Sequence, residues 1–470
     1  MPGVSSFRTT LLRTARGAST GLLAGFSALA VAELTAGLVR PAAGPVTVVG
    51  GAVIDRTPAG VKDFAIRTFG ENDKTVLQVG ILLLLALFAV VLGVVSLSYR
   101  RAGAAGVLAF GVLGAAAALS RPDSAGAGDA LPSAVGALAA AAVLYGLAAK
   151  AAPVGSTSGD TGTGSGWSRR GFLTAAGVTA AAATGAGVAG RALSGRRGRG
   201  AAPSRDSLAL PAPSSPAPAV PAGARPGVGG ISAFTTPNRE FYRVDTARWL
   251  GVPLAGLLAE CGVRAPSKGG GADQLVARSV DGMTFRSPVE DVLDGRDAML
   301  AVGMNGEPLP FAHGYPVRML VPGLYGYVSA CKWITEIELT TFEAYDPYWV
   351  KRKWARRAPV KTQSRIDAPK PFARPAAGTV VIAGVAWAQR RGITRVEVRV
   401  DDGPWTGADL APQHSLDPWR QWSYRWQAAA GGHTLTVRAT DGTAAVQTEE
   451  RARTIPDGAS GWHSVFVTVR

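Results

Sequence analysis

Apolar residues follow two regimes along this chain. Up to about residue 200 they come in long runs: Leu22–Val39, Val76–Leu97, Ala102–Leu119, Leu131–Ala149 and Phe172–Ala189. Each run is about 18 to 22 residues, long enough to cross a hydrocarbon core of about 30 Å. The second is the most apolar, with ILLLLALFAVVLGVV and no charge. The others are rich in Ala and Gly, which suits either buried soluble helices or the close helix contacts of a membrane bundle. Their succession favours five spans.

Beyond about residue 230 the apolar runs shorten to strand length. Gln274–Ser279, Met283–Arg286 and Leu300–Met304 are expected strands, with a short helix over Val289–Leu293. Asn305-Gly306 is a hairpin turn signal. Val317, Met319, Leu320 and Val321 continue the strand pattern. Further on, Thr379–Trp387, Ile393–Val400, Trp422–Gln427, His433–Ala439 and Ser464–Val469 alternate apolar and polar, divided by turns at Asp402-Gly403 and Gly431-Gly432. Short strands at this spacing predict a β-sandwich. Between the regimes, residues 201–230 are dense in Pro, Ala, Gly and Ser and are expected to form an extended tether. The expected organisation is therefore a helical membrane domain (1–200), a linker (201–230), an α+β domain (231–372) and a β-sandwich (373–470).

Composition supports a chain that is part membrane protein: 17% charged residues, 60 glycines and a mean hydropathy of +0.16. The net charge of +16 does not point to nucleic acid, because no basic helix with interleaved aromatics and no nucleic-acid motif is present. Much of the excess lies beside the apolar runs, at Arg8, Arg13 and Arg16, at Arg100 and Arg101, at Arg169 and Arg170, and at Arg196, Arg197 and Arg199. Such clusters set topology and meet anionic lipid. They place the N-terminal tail inside and everything after about residue 200 on the extracytoplasmic side, although Arg191–Arg199 then lies on the less usual face. Ser168-Arg169-Arg170-Gly171-Phe172-Leu173 resembles a twin-arginine export signal; the alternative, an ordinary basic flank, gives the same sidedness. All four histidines lie beyond residue 200, which excludes a bis-histidine haem from the first 200 residues. Glu33 interrupts the first run, as a functional carboxylate or as a partner within the bundle. With two cysteines, Cys261 and Cys331, no disulfide framework is specified.

The chemistry concentrates in HGYPVRMLVPGLYGYVSACKW, residues 313–333. Glycines permit close backbone approach to a ligand, and Arg and Lys are natural phosphate partners. The spacing HG-x-P-x-R, then PG-x-YG-x-x-S-x-x-KW, resembles the cofactor-binding signature of the sulfite oxidase family of molybdopterin oxidoreductases. So do the upstream segments TPN-x-x-FYRVDT and W-x-GVPL, the string GMNGEPLPFAHGYPVR, and VRVDDGPW with WSYRW near the C-terminus. The resemblance covers about residues 231–470. It implies a molybdenum–molybdopterin cofactor held by Asn238, Tyr242, Arg243, His313, Arg318, Ser329 and Lys332. It also implies a strand edge and short helix at the W-x-GVPL segment with Leu254, Leu257 and Leu258 as its buried stripe. The C-terminal domain becomes an immunoglobulin-like, dimerisation-type sandwich, hence a homodimer. The aromatic and basic segment Tyr345–Trp354 lies near the family's substrate entrance, with core packing as the alternative.

One departure matters. In the family, a long segment separates FYRVDT from W-x-GVPL and carries the cysteine whose thiolate binds molybdenum. Here Ala247 is followed at once by Arg248-Trp249. Neither Cys261 nor Cys331 stands at the matching position, so no metal ligand and no catalytic residue is assigned. The loss is expected to open the sheet and expose an edge. Two functions follow from the resemblance: a membrane-anchored oxidoreductase acting on sulfite or another small oxo-anion or S-oxide, with an unnamed electron acceptor, or a catalytically dead, membrane-tethered cofactor binder or interaction protein.

Overall fold

The computed structural model describes all residues except 1–2, 59–60, 62–72, 122–123, 125, 152–168, 200, 225–226 and 242–245. The chain divides into two compact units, Met1–Gly200 and Ala201–Arg470.

The first unit is helical. Five of its helices are long and apolar enough to cross a membrane, with qualifying segments Arg13–Leu38, Val76–Ser96, Arg100–Ser120, Ala127–Ala149 and Gly171–Leu193. They coincide with the five expected runs. Glycines set the closest helix contacts. A Cβ on Gly21 would lie 1.9 Å from the Ala89 carbonyl oxygen, and one on Gly93 would lie 2.1 Å from that of Gly17. Small residues at such crossings let backbones pack without an intervening side chain. A further helix, Pro45–Arg56, follows the first long one; its apolar run is too short to stand out as a span. Arg40 and the buried Asp129 form an ion pair, in which the Arg40 Nε donates to Asp129 at 3.0 Å.

The second unit begins with a correction. The segment expected as a free tether opens with a helix, Ala201–Asp206, and stays against the unit. Arg205 donates to the carbonyls of Leu309 (2.9 Å) and Pro308 (3.0 Å), and the hydroxyls of Ser204 and Tyr315 are hydrogen-bonded. Further along, His414 Nε2 donates to the Pro218 carbonyl at 2.9 Å, and Val220 packs against Val385 and Trp419. A Pro-rich segment without regular structure can therefore still be held by side chains that its composition does not reveal.

The first part of this unit holds β1 (Trp249–Pro253), β2 (Gln274–Ser279), β3 (Thr284–Pro288), β4 (Met299–Met304), β5 (Glu307–Pro308), β6 (Arg318–Leu320) and β7 (Ile334–Thr340). One sheet is β1-β4-β5 with β6 also on β4; the other is β3-β2-β7. The predicted strands are present within a residue or two, and Asn305 (φ 53°) and Gly306 (φ 88°) make the expected β4–β5 turn. The short helix Leu254–Glu260 buries Leu254 and Leu258, whereas Leu257 of the expected stripe is not among the buried residues. The core gathers Leu254, Leu275, Val289, Met319, Val328 and Cys331 between the sheets and short helices. Among the described residues β1 pairs with β4 alone, and its Val252 is half exposed, in keeping with the open edge expected from the shortened segment before Trp249.

The second part holds β8 (Gln363–Ala368), β9 (Gly378–Trp387), β10 (Ile393–Val400), β11 (Thr406–Gly407), β12 (Asp409–Leu410), β13 (Arg420–Ala428), β14 (Gly431–Asp441) and β15 (His463–Val469). Two four-stranded antiparallel sheets, β12-β13-β9-β8 and β11-β10-β14-β15, enclose one core. Because β8 pairs with β9, this layer starts at Gln363, ahead of the boundary at 373 that hydropathy suggested. Trp422 is fully buried at its centre among Ile382, Val396, Leu435 and Val467. Trp422→Ala is expected to cost about 3–5 kcal/mol through lost apolar contact and a residual cavity. Chemical denaturation of the full chain, followed by far-ultraviolet circular dichroism, checks this; a loss under about 1 kcal/mol would contradict the packing.

Candidate functional site

The sequence from Pro310 to Trp333 folds into one cationic cluster. Phe311–His313 is a single 3-10 turn that ends at Gly314, whose φ of 113° is a left-handed conformation that favours glycine. A Cβ there would lie 3.1 Å from the Arg318 Cβ and 3.2 Å from the Lys332 Cα and Cβ. The missing side chain is thus what lets Arg318, at the start of β6, and Lys332, just before β7, close on the turn.

Three successive carbonyls of the turn are each met by a side-chain donor. Trp333 Nε1 donates to Phe311 at 2.9 Å, Lys332 Nζ to Ala312 at 2.7 Å, and Arg318 Nη1 to His313 at 3.2 Å. The His313 Nε2 lies 2.6 Å from the Asn238 carbonyl oxygen. A carbonyl only accepts, so Nε2 carries the proton and Nδ1 is left as an acceptor.

The electrostatics are one-sided. Arg318 is 5% exposed, stacks over Trp249 at 4.8 Å, and leaves its Nε without a hydrogen-bond partner. Burial pushes its guanidinium down to about 10, against an opposing contribution from the Cys331 sulfur. Burial likewise lowers the Lys332 ammonium, helped by the Arg318 charge, and lowers the His313 imidazole, helped by the charges of Lys332 and Arg318. Among the described residues no carboxylate pairs with any of the three. A buried guanidinium beside a half-buried ammonium, without acids, costs desolvation energy that an anionic ligand would recover.

Of the residues assigned from the sequence, His313, Arg318 and Lys332 converge, and Asn238 joins them through its backbone. The Asn238 side chain is used in structure: its amide donates to the Met304 carbonyl at 3.3 Å, and its Oδ1 accepts from Asn305 at 2.8 Å. Ser329 is corrected. Its hydroxyl is buried and donates to the Leu324 carbonyl at 3.0 Å, closing the short Gly326–Ser329 helix, so it does not face the cluster as a ligand donor. Tyr242 and Arg243 lie outside the described residues. Two aromatics carry more than the motif suggested: Phe241 sits edge-on to both Trp249 (5.5 Å) and His313 (5.6 Å).

The cysteines behave differently from ligands. Cys331 is fully buried in the apolar core, and burial pushes its thiol up to about 12. It packs in that core while the Lys332 Nζ joins the cluster, and both residues lie in a loop rather than in the strand the sequence suggested. Cys261 is exposed beyond the Leu254–Glu260 helix. Among the described residues no group of three or more His, Cys, Asp or Glu converges to hold a metal. Iodoacetamide at pH 8 is expected to alkylate Cys261 at least about a hundredfold faster than Cys331, since the thiolate is the reactive form. Peptide mapping of the native full chain measures the ratio; equal rates would place Cys331 in an open, activated site.

The sequence that builds this cluster matches a known family. The family described as oxidoreductase molybdopterin binding domain matches residues 234–349. Mouse mitochondrial sulfite oxidase is 30% identical over 262 residues, covering 48% of this chain and 47% of that protein. Inducible nitrate reductase [NADH] 2 of Glycine max is 38% identical over 117 residues, covering 23% of this chain and 13% of that protein. Among solved structures, the sulfane dehydrogenase SoxCD of Paracoccus pantotrophus is 28% identical with a TM-score of 0.40, covering 48% of this chain and 61% of that one. Residues 234–349 thus match the oxidoreductase molybdopterin binding domain family, and the chain is similar to sulfite oxidases from that region onward. The chain spans about half the length (47%) of the mouse sulfite oxidase it matches.

Proposed function

We propose that this chain is a membrane-anchored molybdopterin protein of the sulfite oxidase type. His313, Arg318 and Lys332 would hold the phosphate end of the cofactor, with Tyr242 and Arg243 added by motif position. The observation that carries this reading is a buried Arg318 with an unpartnered Nε, set beside a half-buried Lys332 ammonium and a neutral His313, with no carboxylate paired to them among the described residues. Such a donor set fits a phosphate, which takes charge-assisted hydrogen bonds from Arg and Lys. Trp249 would hold the Arg318 guanidinium by its ring face, and the Asn238 carbonyl would fix the His313 tautomer. When bound, the molybdenum centre would supply two-electron oxygen-atom exchange with sulfite or a related small oxo-anion or S-oxide; the electron acceptor is not named by these residues. The β-sandwich would be immunoglobulin-like and serve homodimerisation.

The metal end fits less well. A soft thiolate is the natural protein ligand for such a metal, and Cys331 is a buried thiol while Cys261 is remote in sequence from the motif. This favours a second reading, in which the chain binds the cofactor without turning over. Molybdenum and pterin content of the purified full chain, read alongside sulfite-dependent acceptor reduction, separates the two.

The membrane part of the proposal places residues from about 200 onward on the extracytoplasmic side, exported through the twin-arginine-like signal, with lipid as the first unit's partner. Reporter fusions after Gly230 are expected to be active only with an export-dependent reporter. Activity of a cytoplasm-dependent reporter at that point would reverse the topology.

A further inference from the structure

A second group of arginines gathers away from the His313–Arg318–Lys332 cluster, around Phe342. Arg286 on β3 is 2% exposed, and its guanidinium carbon lies 5.2 Å from the Phe342 ring centre. Among the described residues its single hydrogen bond runs from Nη1 to the Gln274 Oε1 at a long 3.4 Å, and its Nη2 has no partner. Gln274 is fixed for this task, because its own amide donates to the carbonyls of Tyr345 (2.9 Å) and Thr341 (3.3 Å). Arg357 approaches the same ring at 5.9 Å and makes no hydrogen bond or ion pair among the described residues. Arg356 donates to the Phe342 carbonyl at 2.6 Å and pairs with Asp346 at 2.9 Å. Three guanidiniums thus surround one residue, with one carboxylate among them. Apolar packing alone does not account for a fully buried fork with an empty donor, since an unmade hydrogen bond of a buried charge is costly.

We propose that Arg286, Arg356 and Arg357 form an anion site for a phosphate-type tetrahedral oxyanion, separate from the cofactor cluster. The fork of Arg286 offers the buried donor, and Arg357, exposed at the rim, supplies the second charge. Guanidiniums suit such oxyanions because their paired N–H groups match two oxygens at once. The anion would be free in solution or carried on a lipid headgroup. The site stands whether or not the cofactor reading holds, as it shares no residue with it.

The test uses the full chain in neutral detergent, in a Lys332→Ala background that disables the cofactor cluster. Inorganic phosphate is titrated by calorimetry in one arm, and phosphatidic acid doped into the micelles in the other. Saturable binding in either arm, weakened at least about tenfold by Arg357→Gln, is the expected result. A response to phosphatidic acid alone identifies the headgroup as the source. Arg357→Gln alters an exposed side chain, and an unchanged melting temperature shows that folding is preserved; Arg286→Lys, which keeps the charge and removes the fork, is expected to weaken binding similarly. Absence of saturable binding in both arms, or binding that Arg357→Gln leaves unchanged, would overturn the site.

Discussion

Arg318→Met is expected to reduce molybdopterin retention by at least about tenfold while leaving the cofactor-free chain as stable as before, or more stable. The two effects have one origin. Among the described residues the buried guanidinium has no carboxylate partner, and burial lowers its basicity to about 10. For a base, a lowered value means that the folded state penalises the charged form at every pH below about 10. A displacement of that size corresponds to roughly 3 kcal/mol. Replacing a buried charge by an apolar side chain of similar length is often neutral or stabilising, and Met preserves the contact with Trp249. A bound phosphate would reverse the balance through charge-assisted hydrogen bonds worth about 1.5–3 kcal/mol each. Lys332→Ala is expected to lose about tenfold for the same reason. Thermal denaturation of the cofactor-free chain together with pterin retention on gel filtration reads both sides. A variant that is destabilised and yet keeps its pterin would assign Arg318 to packing alone.

Sulfite-dependent acceptor reduction by the chain is expected at or near background. Ala247 runs directly into Arg248, whose amide donates to Asn305 Oδ1 at 2.8 Å, so the segment is stitched to the β4–β5 turn. No cysteine stands there. Cys331 is the nearer thiol in sequence to Lys332, and its Sγ donates to the Lys332 carbonyl at 3.6 Å within the apolar core. X-ray absorption at the molybdenum edge on a loaded sample is expected to find sulfur from the pterin alone, unchanged by Cys331→Ser. An extra sulfur ligand that Cys331→Ser removes, together with turnover, would mean that the site has been rebuilt around that thiol.

Much of this architecture was legible because its signals are periodic. Long apolar runs marked the five long helices, and alternation marked most strands. β7 escaped because its apolar residues, Ile334, Ile337 and Leu339, do not keep a period of two; the register shift opposite Arg278 and Ser279 accounts for the slip. β8 escaped because Ile366 is the one large apolar residue in QSRIDA. In the site, His313, Arg318 and Lys332 could be read from spacing, since glycine fixes how the chain turns between them. Ser329 was misassigned because sequence shows a hydroxyl and not whether the Leu324 carbonyl has already engaged it. The Asn238 contribution through its carbonyl leaves no mark on residue type. Trp249 stood inside a quoted motif, and only geometry revealed its ring under Arg318.

The central claim is that the acid-free cluster of His313, Arg318 and Lys332 holds a molybdopterin phosphate. Its most direct test is pterin and molybdenum analysis of the full chain, purified from a host that makes the cofactor, beside Lys332→Ala prepared in the same way. The account predicts near-stoichiometric pterin in the wild type and about a tenth or less in the variant. Wild-type chain without pterin, or equal pterin in both, would contradict it.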